Sequence, residues 1–257
     1  MNEEEIQPYI LTKIFGKKIF AFDVLDSTNV KAKSLALDNV TEGTVVVTDN
    51  QTAGKGRLGR TWSSEAGKNL TFSVIIRPRI SPQHLGILSL FAGISIARAI
   101  SHLTNKTVHC KWPTDVLLNK KKVCGVLSES VMSSGSITAV IIGIGININQ
   151  RNFTSELHGK ATSFAIETGR EFDRWTILAE ILQEMETGYA DIQSGSFDTI
   201  LRQWTEYSSF IGQPVSIDQH GTIVRGIASH VADDGGLVIR TNGKEVKILA
   251  GDVTITS

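Results

Sequence analysis

The chain has little cysteine, little proline and no surplus charge of either sign. Its 257 residues include two Cys and five Pro. Two thiols without a pairing pattern exclude a disulfide-framework fold. Cys110 and Cys124 cannot complete a four-ligand zinc site, because no Cys-x-x-Cys or His-x-x-x-His spacing accompanies them. The six His show no metal spacing, and no Ser/His/Asp signature for a hydrolase stands out. Lys+Arg and Asp+Glu number 26 each, which argues against a chain built mainly to neutralise nucleic-acid phosphates. The acidic start, Glu3-Glu4-Glu5, lacks the basic and then apolar order of a secretory signal. The longest apolar run, 85–100, is expected to be too short to span a bilayer and contains Ser89, Ser95 and Arg98. These absences give the expectation of a cytoplasmic protein without a membrane partner. Apolar residues make up 41% and charged residues 20%, enough for a sizeable core.

The pattern of elements is mixed. Residues 20–24, 44–48 and 70–76 read as strands, the second β-branched throughout. Between the first two, Val30, Ala32, Leu35 and Ala36 follow helical spacing, with Ser27 or Thr28 as the expected cap. Residues 85–100 predict a well-buried helix. Strand pieces follow at 108–112, 116–118 and 123–130, with a turn at Lys120–Lys122, and the apolar run 140–148 reads as a buried strand. Asp173 is placed to cap a helix reaching about Asp191, with Leu178, Ile181, Leu182, Met185 and Tyr189 as its stripe. After Trp204 the composition changes to short β-branched pieces broken by Gly, Asp and Asn. Five such pieces predict a small barrel, with a domain boundary between 1–210 and 211–257.

The most unusual segment runs from Gln51 to Trp62, where Gly54, Gly56 and Gly59 alternate with Lys55, Arg57 and Arg60. Glycine lets a ligand approach the main chain, and exposed N–H groups beside cations form an anion site. The alternative is a solvated basic hairpin. Trp62 favours the site, because it offers a stacking face to a base. The spacing is not that of a P-loop, and no helical pattern follows to make a dinucleotide fingerprint. A second cluster is Lys111-Trp112-Pro113-Thr114-Asp115, where Asp115 either holds a metal or a cation or stabilises a turn. Lys122, in a run of three Lys, would by itself be a solvated turn residue. Asn147 lies in an apolar run, so its amide either ties down backbone or reads a polar edge such as a base.

Taken in order, these segments resemble biotin–protein ligases. The resemblance rests on Asp26-Ser27-Thr28-Asn29, the loop from Gln51 to Trp62, Lys111 to Asp115, Lys122-Val123-Cys124-Gly125, Gly143 to Asn147, and Ala161-Thr162-Ser163. Two positions depart from the family pattern: Lys55 stands where Arg is usual, and Thr114 where Asn is usual. Lys keeps the charge but loses the planar fork. The resemblance implies an α+β fold: a mixed-sheet catalytic domain related to class II aminoacyl-tRNA synthetases, followed by an SH3-like barrel. It implies an ATP-dependent ligase that forms biotinyl-5′-AMP and transfers biotin to a lysine of a carboxylase's biotin acceptor domain. ATP and biotin are then substrates, with Mg²⁺ as the accompanying ion. Ser27, Thr28, Asn29 and Gln51 would bind the ureido ring, and the backbone of Gly54, Lys55 and Gly56 would line the biotin site. Arg57 and Lys122 are the implied catalytic pair on carboxylate and α-phosphate. Arg60 would support the loop or touch pyrophosphate, Trp62 would stack on adenine, Asn147 would read its edge, and Asp115 would help position the metal. Some relatives carry an N-terminal DNA-binding domain, but little chain precedes the first expected strand, so no repressor function and no DNA partner are expected. A homodimer is an expectation from relatives that pair through the catalytic domain.

Overall fold

Strand alternation explains how the site is positioned. In the computed structural model, which describes residues 1–134, 136–219 and 221–256, the elements before the long helix are α1 (Glu3–Ile6), β1 (Ile19–Leu25), α2 (Thr28–Leu37), β2 (Val45–Gln51) and β3 (Leu70–Ile76). Then come α3 (Leu85–Thr104), β4 (Val108–Lys111), β5 (Asp115–Leu118), β6 (Lys121–Ser133) and β7 (Ser136–Ile146). Helices α4 (Phe164–Thr168), α5 (Arg174–Ser194) and α6 (Phe197–Tyr207) precede β8 (Pro214–Gln219), β9 (Thr222–Val231), β10 (Leu237–Thr241), β11 (Lys244–Ile248) and β12 (Asp252–Ile255). His220 and Ser257 lie outside the described residues.

The first sheet has the order β1-β2-β3-β7-β6-β5-β4 and is antiparallel except for the parallel β1–β2 pair, which α2 connects. Successive side chains point to opposite faces. On β7, Val140, Ile142, Ile144 and Ile146 join the main core, on the face that α3 covers, with α5 packed on α3. Ala139 and Ile141 lie on the other face, in a smaller cluster with Ala32, Leu35 and Ala36 of α2. Further along that second face the positions are Gly143 and Gly145, and Gly125 lies opposite Gly145 on β6. Glycine there leaves the sheet bare beside the N-terminus of α2.

Strands β8 to β12 form an antiparallel sheet in the order β11-β10-β9-β8-β12. Its buried residues, among them Val215, Ile217, Leu237 and Ile239, are continuous with the main core. Trp112 donates from Nε1 to the Gly235 carbonyl at 2.9 Å, and Gly86 at the start of α3 lies so close that a Cβ would stand 2.4 Å from the Asp234 carbonyl oxygen.

Several boundaries differ from the sequence reading. Helix α3 continues to Thr104, and with the turn before it residues 82–104 are long and apolar enough to cross a membrane. Length therefore does not exclude a span. The helix is instead packed against α5, α6 and the sheet. Ser27 occupies the cap position of α2, but its hydroxyl makes no capping bond. Gln51 Oε1 accepts the Thr28 N–H at 2.8 Å instead, so a neighbouring strand satisfies the orphan donor. Asp173 caps α5 as expected, accepting the Thr176 N–H at 2.7 Å. Strand β7 begins earlier and ends earlier than the apolar run, and α6 was not foreseen, because its single buried pair, Ile200 and Trp204, gives too short a stripe.

Candidate functional site

The bare stretch of sheet is the floor of a cleft of about 780 Å³. That lies within the range of small-molecule and cofactor sites. Its walls come from the start of α2, the glycine–cation loop, the β4–β5 turn, the start of β6, residues 153–161 and the start of β12. Ser27, Thr28, Asn29, Gln51, Lys55, Gly56, Arg57, Arg60, Trp62, Asp115, Lys122 and Asn147 all line it. Gly54 lies at the base of the loop, outside that lining.

The loop is closed by its own backbone. Trp62 N donates to the Gly54 carbonyl at 3.0 Å and Gly56 N to the Arg60 carbonyl at 2.7 Å, with a bridge between Lys55 and Thr61. A Cβ on Gly54 would stand 2.4 Å from the Trp62 carbonyl oxygen, so this glycine is required for close approach. Of the three loop glycines only Gly59 has positive φ, and Leu58 beside it shares the left-handed region at φ 55°.

Trp62 lies on the glycine floor. Cβ atoms built on Gly145 and Gly125 would meet its ring at 2.2 and 3.2 Å. Its Nε1 is the one buried side-chain polar atom without a partner among the described residues. A buried, unpaired donor costs about 1–3 kcal/mol, so this N–H marks a position for an acceptor.

The cations are held in different ways. Lys122 Nζ stands 2.7 Å from Asp115 Oδ1 and 6.0 Å from the centroid of Trp62. Burial pulls the Arg57 guanidinium below its ordinary pKa, against the pull of Asp252 and Asp115, and it donates weakly to the Gly251 carbonyl at 3.4 Å. Desolvated and, among the described residues, in no ion pair, Arg57 is the cation most ready to receive an anion. Arg60 forms an ion pair with Asp252 through both terminal nitrogens, and the hydrogen bond to that carboxylate raises its pKa. The loop is therefore tied to the second sheet by residues 192 positions apart.

At the opposite end the polar groups are already interlinked. Asn29 is 5% exposed, and its Nδ2 donates to Glu129 Oε2 at 2.6 Å and to the Leu127 carbonyl at 3.3 Å. Its Oδ1 faces Ser73 Oγ at 2.6 Å. Asn147 Nδ2 donates to the Thr162 carbonyl at 3.1 Å, which leaves its carbonyl oxygen as the edge it can offer.

Among the described residues Asp115 joins no cluster of three potential metal ligands, and its Oδ1 faces Lys122. The group of potential metal ligands that does come together is His102, Glu180 and Glu184, on α3 and α5 away from the cleft, and Arg98 Nε already faces Glu184 at 2.7 Å. Sequence spacing missed it because two helices supply the ligands. Cys110 and Cys124 are buried free thiols, both pushed up by desolvation, Cys110 to about 12, and neither is poised as a nucleophile. Asp252, Glu129 and Ser73 escaped the sequence reading, because each bonds to a partner far along the chain.

Comparison with known proteins agrees with this geometry. Residues 21–147 match the Biotin/lipoate A/B protein ligase family, and residues 210–255 match the Biotin protein ligase C terminal domain. The chain is 35% identical to the bifunctional ligase/repressor BirA of Bacillus subtilis, over 99% of this chain and 79% of that protein. It is 31% identical to a biotin–[acetyl-CoA-carboxylase] ligase of Paracoccus denitrificans, over 89% of this chain and 96% of that one. Among solved structures it resembles the biotin protein ligase of Aquifex aeolicus in complex with biotin and ATP, with a TM-score of 0.81 and 31% identity, covering 93% of this chain and 99% of the other.

Proposed function

The chain belongs to the biotin protein ligase family, and from that premise we propose how its cleft performs the reaction. The protein is an ATP-dependent ligase that activates biotin as biotinyl-5′-AMP and transfers it to a lysine of an acceptor protein. The observation that carries this reading is the single cleft with a polar, interlinked end at Thr28 and Gln51 and a cationic, aromatic end at Arg57, Lys122 and Trp62. The polar end suits biotin's ureido group, which has one carbonyl and two N–H groups. Lipoate's disulfide ring would leave these groups unpaired, which favours biotin.

In the first step the biotin carboxylate attacks the α-phosphorus and pyrophosphate departs. Two anions must meet, so Arg57 and Lys122 neutralise them where they approach. Asp115 orients Lys122. Ser27, Thr28 and Gln51 bind the ureido ring, beside the backbone of Gly54, Lys55 and Gly56. Asn29 supports that wall, because its amide is already bonded to Glu129, Leu127 and Ser73. In the second step an acceptor lysine amine attacks the acyl carbon, the amide forms and AMP leaves. The loop over the cleft shields the adenylate from water. Trp62 gives adenine a stacking face and the Asn147 carbonyl accepts from its exocyclic amine. Asn147→Ala is expected to raise the KM for ATP about tenfold with little effect on biotin, and an unchanged ATP dependence would remove that contact.

The residues do not fit a protein-held metal ion: among the described residues Asp115 belongs to no cluster of potential metal ligands, and it is already bonded to Lys122. Mg²⁺ enters as the counter-ion of the ATP phosphates. Arg60 acts on the loop rather than on pyrophosphate. Asp252→Asn is expected to release the loop from the second sheet and raise the KM for ATP several-fold, more at low salt than at high, as measured by initial rates across ionic strength. A salt-independent rate equal to wild type would dissociate the two.

We assign the acceptor as a carboxylase's biotin-carrier domain, the site of action as the cytoplasm and the assembly as a homodimer, with no DNA or membrane partner. We further take residues 1–210 as the catalytic domain, related to class II aminoacyl-tRNA synthetases, and 211–257 as an SH3-like barrel. The test of function is pyrophosphate exchange with Mg·ATP and biotin, lipoate or octanoate. Exchange with biotin alone supports the reading, exchange with lipoate moves the substrate, and none with any acid from folded protein overturns it.

A further inference from the structure

We propose that Glu129, which does not line the cleft, is a positioning residue that fixes the donor and acceptor polarity of the biotin end through Asn29 and Ser73. The proposal rests on the biotin reading above. Glu129 lies on β6 two positions after Leu127, on the face that carries the cleft. Its Oε2 stands 2.6 Å from Asn29 Nδ2. A carboxylate only accepts, so the Asn29 amide must turn its NH2 group toward it. The Leu127 carbonyl at 3.3 Å makes the same demand. The orientation of Asn29 therefore follows from chemistry rather than from an assignment of look-alike atoms.

The consequence runs outward. Asn29 Oδ1 faces Ser73 Oγ at 2.6 Å, and an amide oxygen only accepts, so the Ser73 proton lies on that contact. Ser73 Oγ also stands 2.8 Å from Thr28 Oγ1, placed as a donor to it, but its single proton is committed to the shorter Asn29 contact. Thr28 Oγ1 gives its own proton to Gln51 Oε1 at 3.2 Å, which also takes the Thr28 N–H at 2.8 Å. Thr28 Oγ1 thus turns lone pairs to the cleft, and Gln51, with its oxygen inward, turns its NH2 outward. An acceptor beside a donor complements a ureido N–H beside its carbonyl. Asn29 and Ser73 are 5% and 0% exposed, so water does not scramble the chain of protons. Gly143 makes room for it: a Cβ there would stand 2.0 Å from Asn29 Oδ1.

Gln at position 129 can present its own NH2 group to Asn29, which leaves only the longer Leu127 contact to hold the amide and lets Asn29 turn over. Ser73 then gives its proton to Thr28 Oγ1 and takes up a lone pair that a ureido N–H would otherwise use. Glu129→Gln is expected to raise the KM for biotin roughly tenfold in pyrophosphate exchange, with the KM for ATP and the melting temperature near wild type. Biotin methylated at a ureido nitrogen separates this from loosened packing. Methylation is expected to weaken binding to wild type and to cost much less in Glu129→Gln, because the polarity it reads is gone. Should Glu129→Gln fail to fold, Asn29→Ala frees the same Ser73 proton for Thr28 without touching the charge and is expected to give the same biotin-specific rise. An unchanged biotin KM, or equal rises for biotin and ATP, overturns the proposal while wild-type exchange with biotin keeps the functional reading. Absence of wild-type exchange with biotin overturns both.

Discussion

Lys122→Ala is expected to abolish adenylate formation while biotin still binds. The ammonium stands where β6 enters the cleft, 2.7 Å from Asp115 and within reach of the Trp62 face, between the two halves of the site. Removing one preorganised group that stabilises developing charge costs about 10²–10³ in rate. Here the loss is larger, because the Asp115 carboxylate is left without its cation and faces the incoming phosphate. A drop of at least about a thousandfold in pyrophosphate exchange is expected. The ureido contacts proposed for Thr28 and Gln51 lie at the other end of the cleft, so calorimetric titration with biotin alone is expected to stay within several-fold of wild type. The double variant Lys122→Ala/Asp115→Ala sorts the two causes. Recovery above the single variant assigns part of the loss to the orphaned carboxylate, and none assigns it all to the missing ammonium. Near-normal exchange by Lys122→Ala removes the residue from the mechanism.

The contrast between Lys122 and Asp252 shows what the sequence can and cannot reveal. The glycine–cation loop is a local pattern: glycines where a chain must approach itself and a Trp at the closing position are legible within twelve letters. Leu70–Ile76 was legible for the same reason, since a β-branched and apolar run between turn signals leaves few alternatives. The pairing of Arg60 with Asp252 joins residues 192 positions apart, and nothing local to Asp252 marks it. Glu129 is equally silent, one acid in a strand of mixed composition, until β6 and α2 bring it to Asn29. Asn29 itself was legible as a site residue but its role was not. A sequence reports that an amide stands at the mouth of a helix, and only the fold reports that both its ends are engaged. Gly143 and Gly145 lie between these cases. Their alternation along an apolar strand was visible, but its reason appears only when Asn29 and Trp62 are found in the space that two Cβ atoms would fill.

That space makes Gly145→Ala a sharp experiment. The added Cβ would stand 2.2 Å from Trp62 Cε2 and 2.5 Å from Nε1, far inside contact distance, and the atoms it meets belong to one side chain on a surface loop. The indole must lift from the sheet, whereas β7 need not move. Gly145 has no left-handed φ to lose, and alanine is the less costly residue in a strand interior, by about 0.5–1 kcal/mol in the helix and strand contexts where the comparison is known. The fold and the site are therefore expected to respond in opposite directions. The melting temperature holds or rises slightly, while ATP binding falls by the worth of a base–aromatic stack, about 1–3 kcal/mol, or roughly five- to 150-fold in KM. Biotin affinity is expected to change little, because the proposed ureido contacts gather near Gly143 and Thr28. Placing the same substitution in a Trp62→Ala background completes the argument: with no indole to displace, it is expected to cost nothing further for ATP. An ATP KM equal to wild type in the single variant would show that adenine does not use the Trp62 face. A further loss in the Trp62→Ala background would show that the glycine serves the ligand directly, by letting it lie against the bare strand.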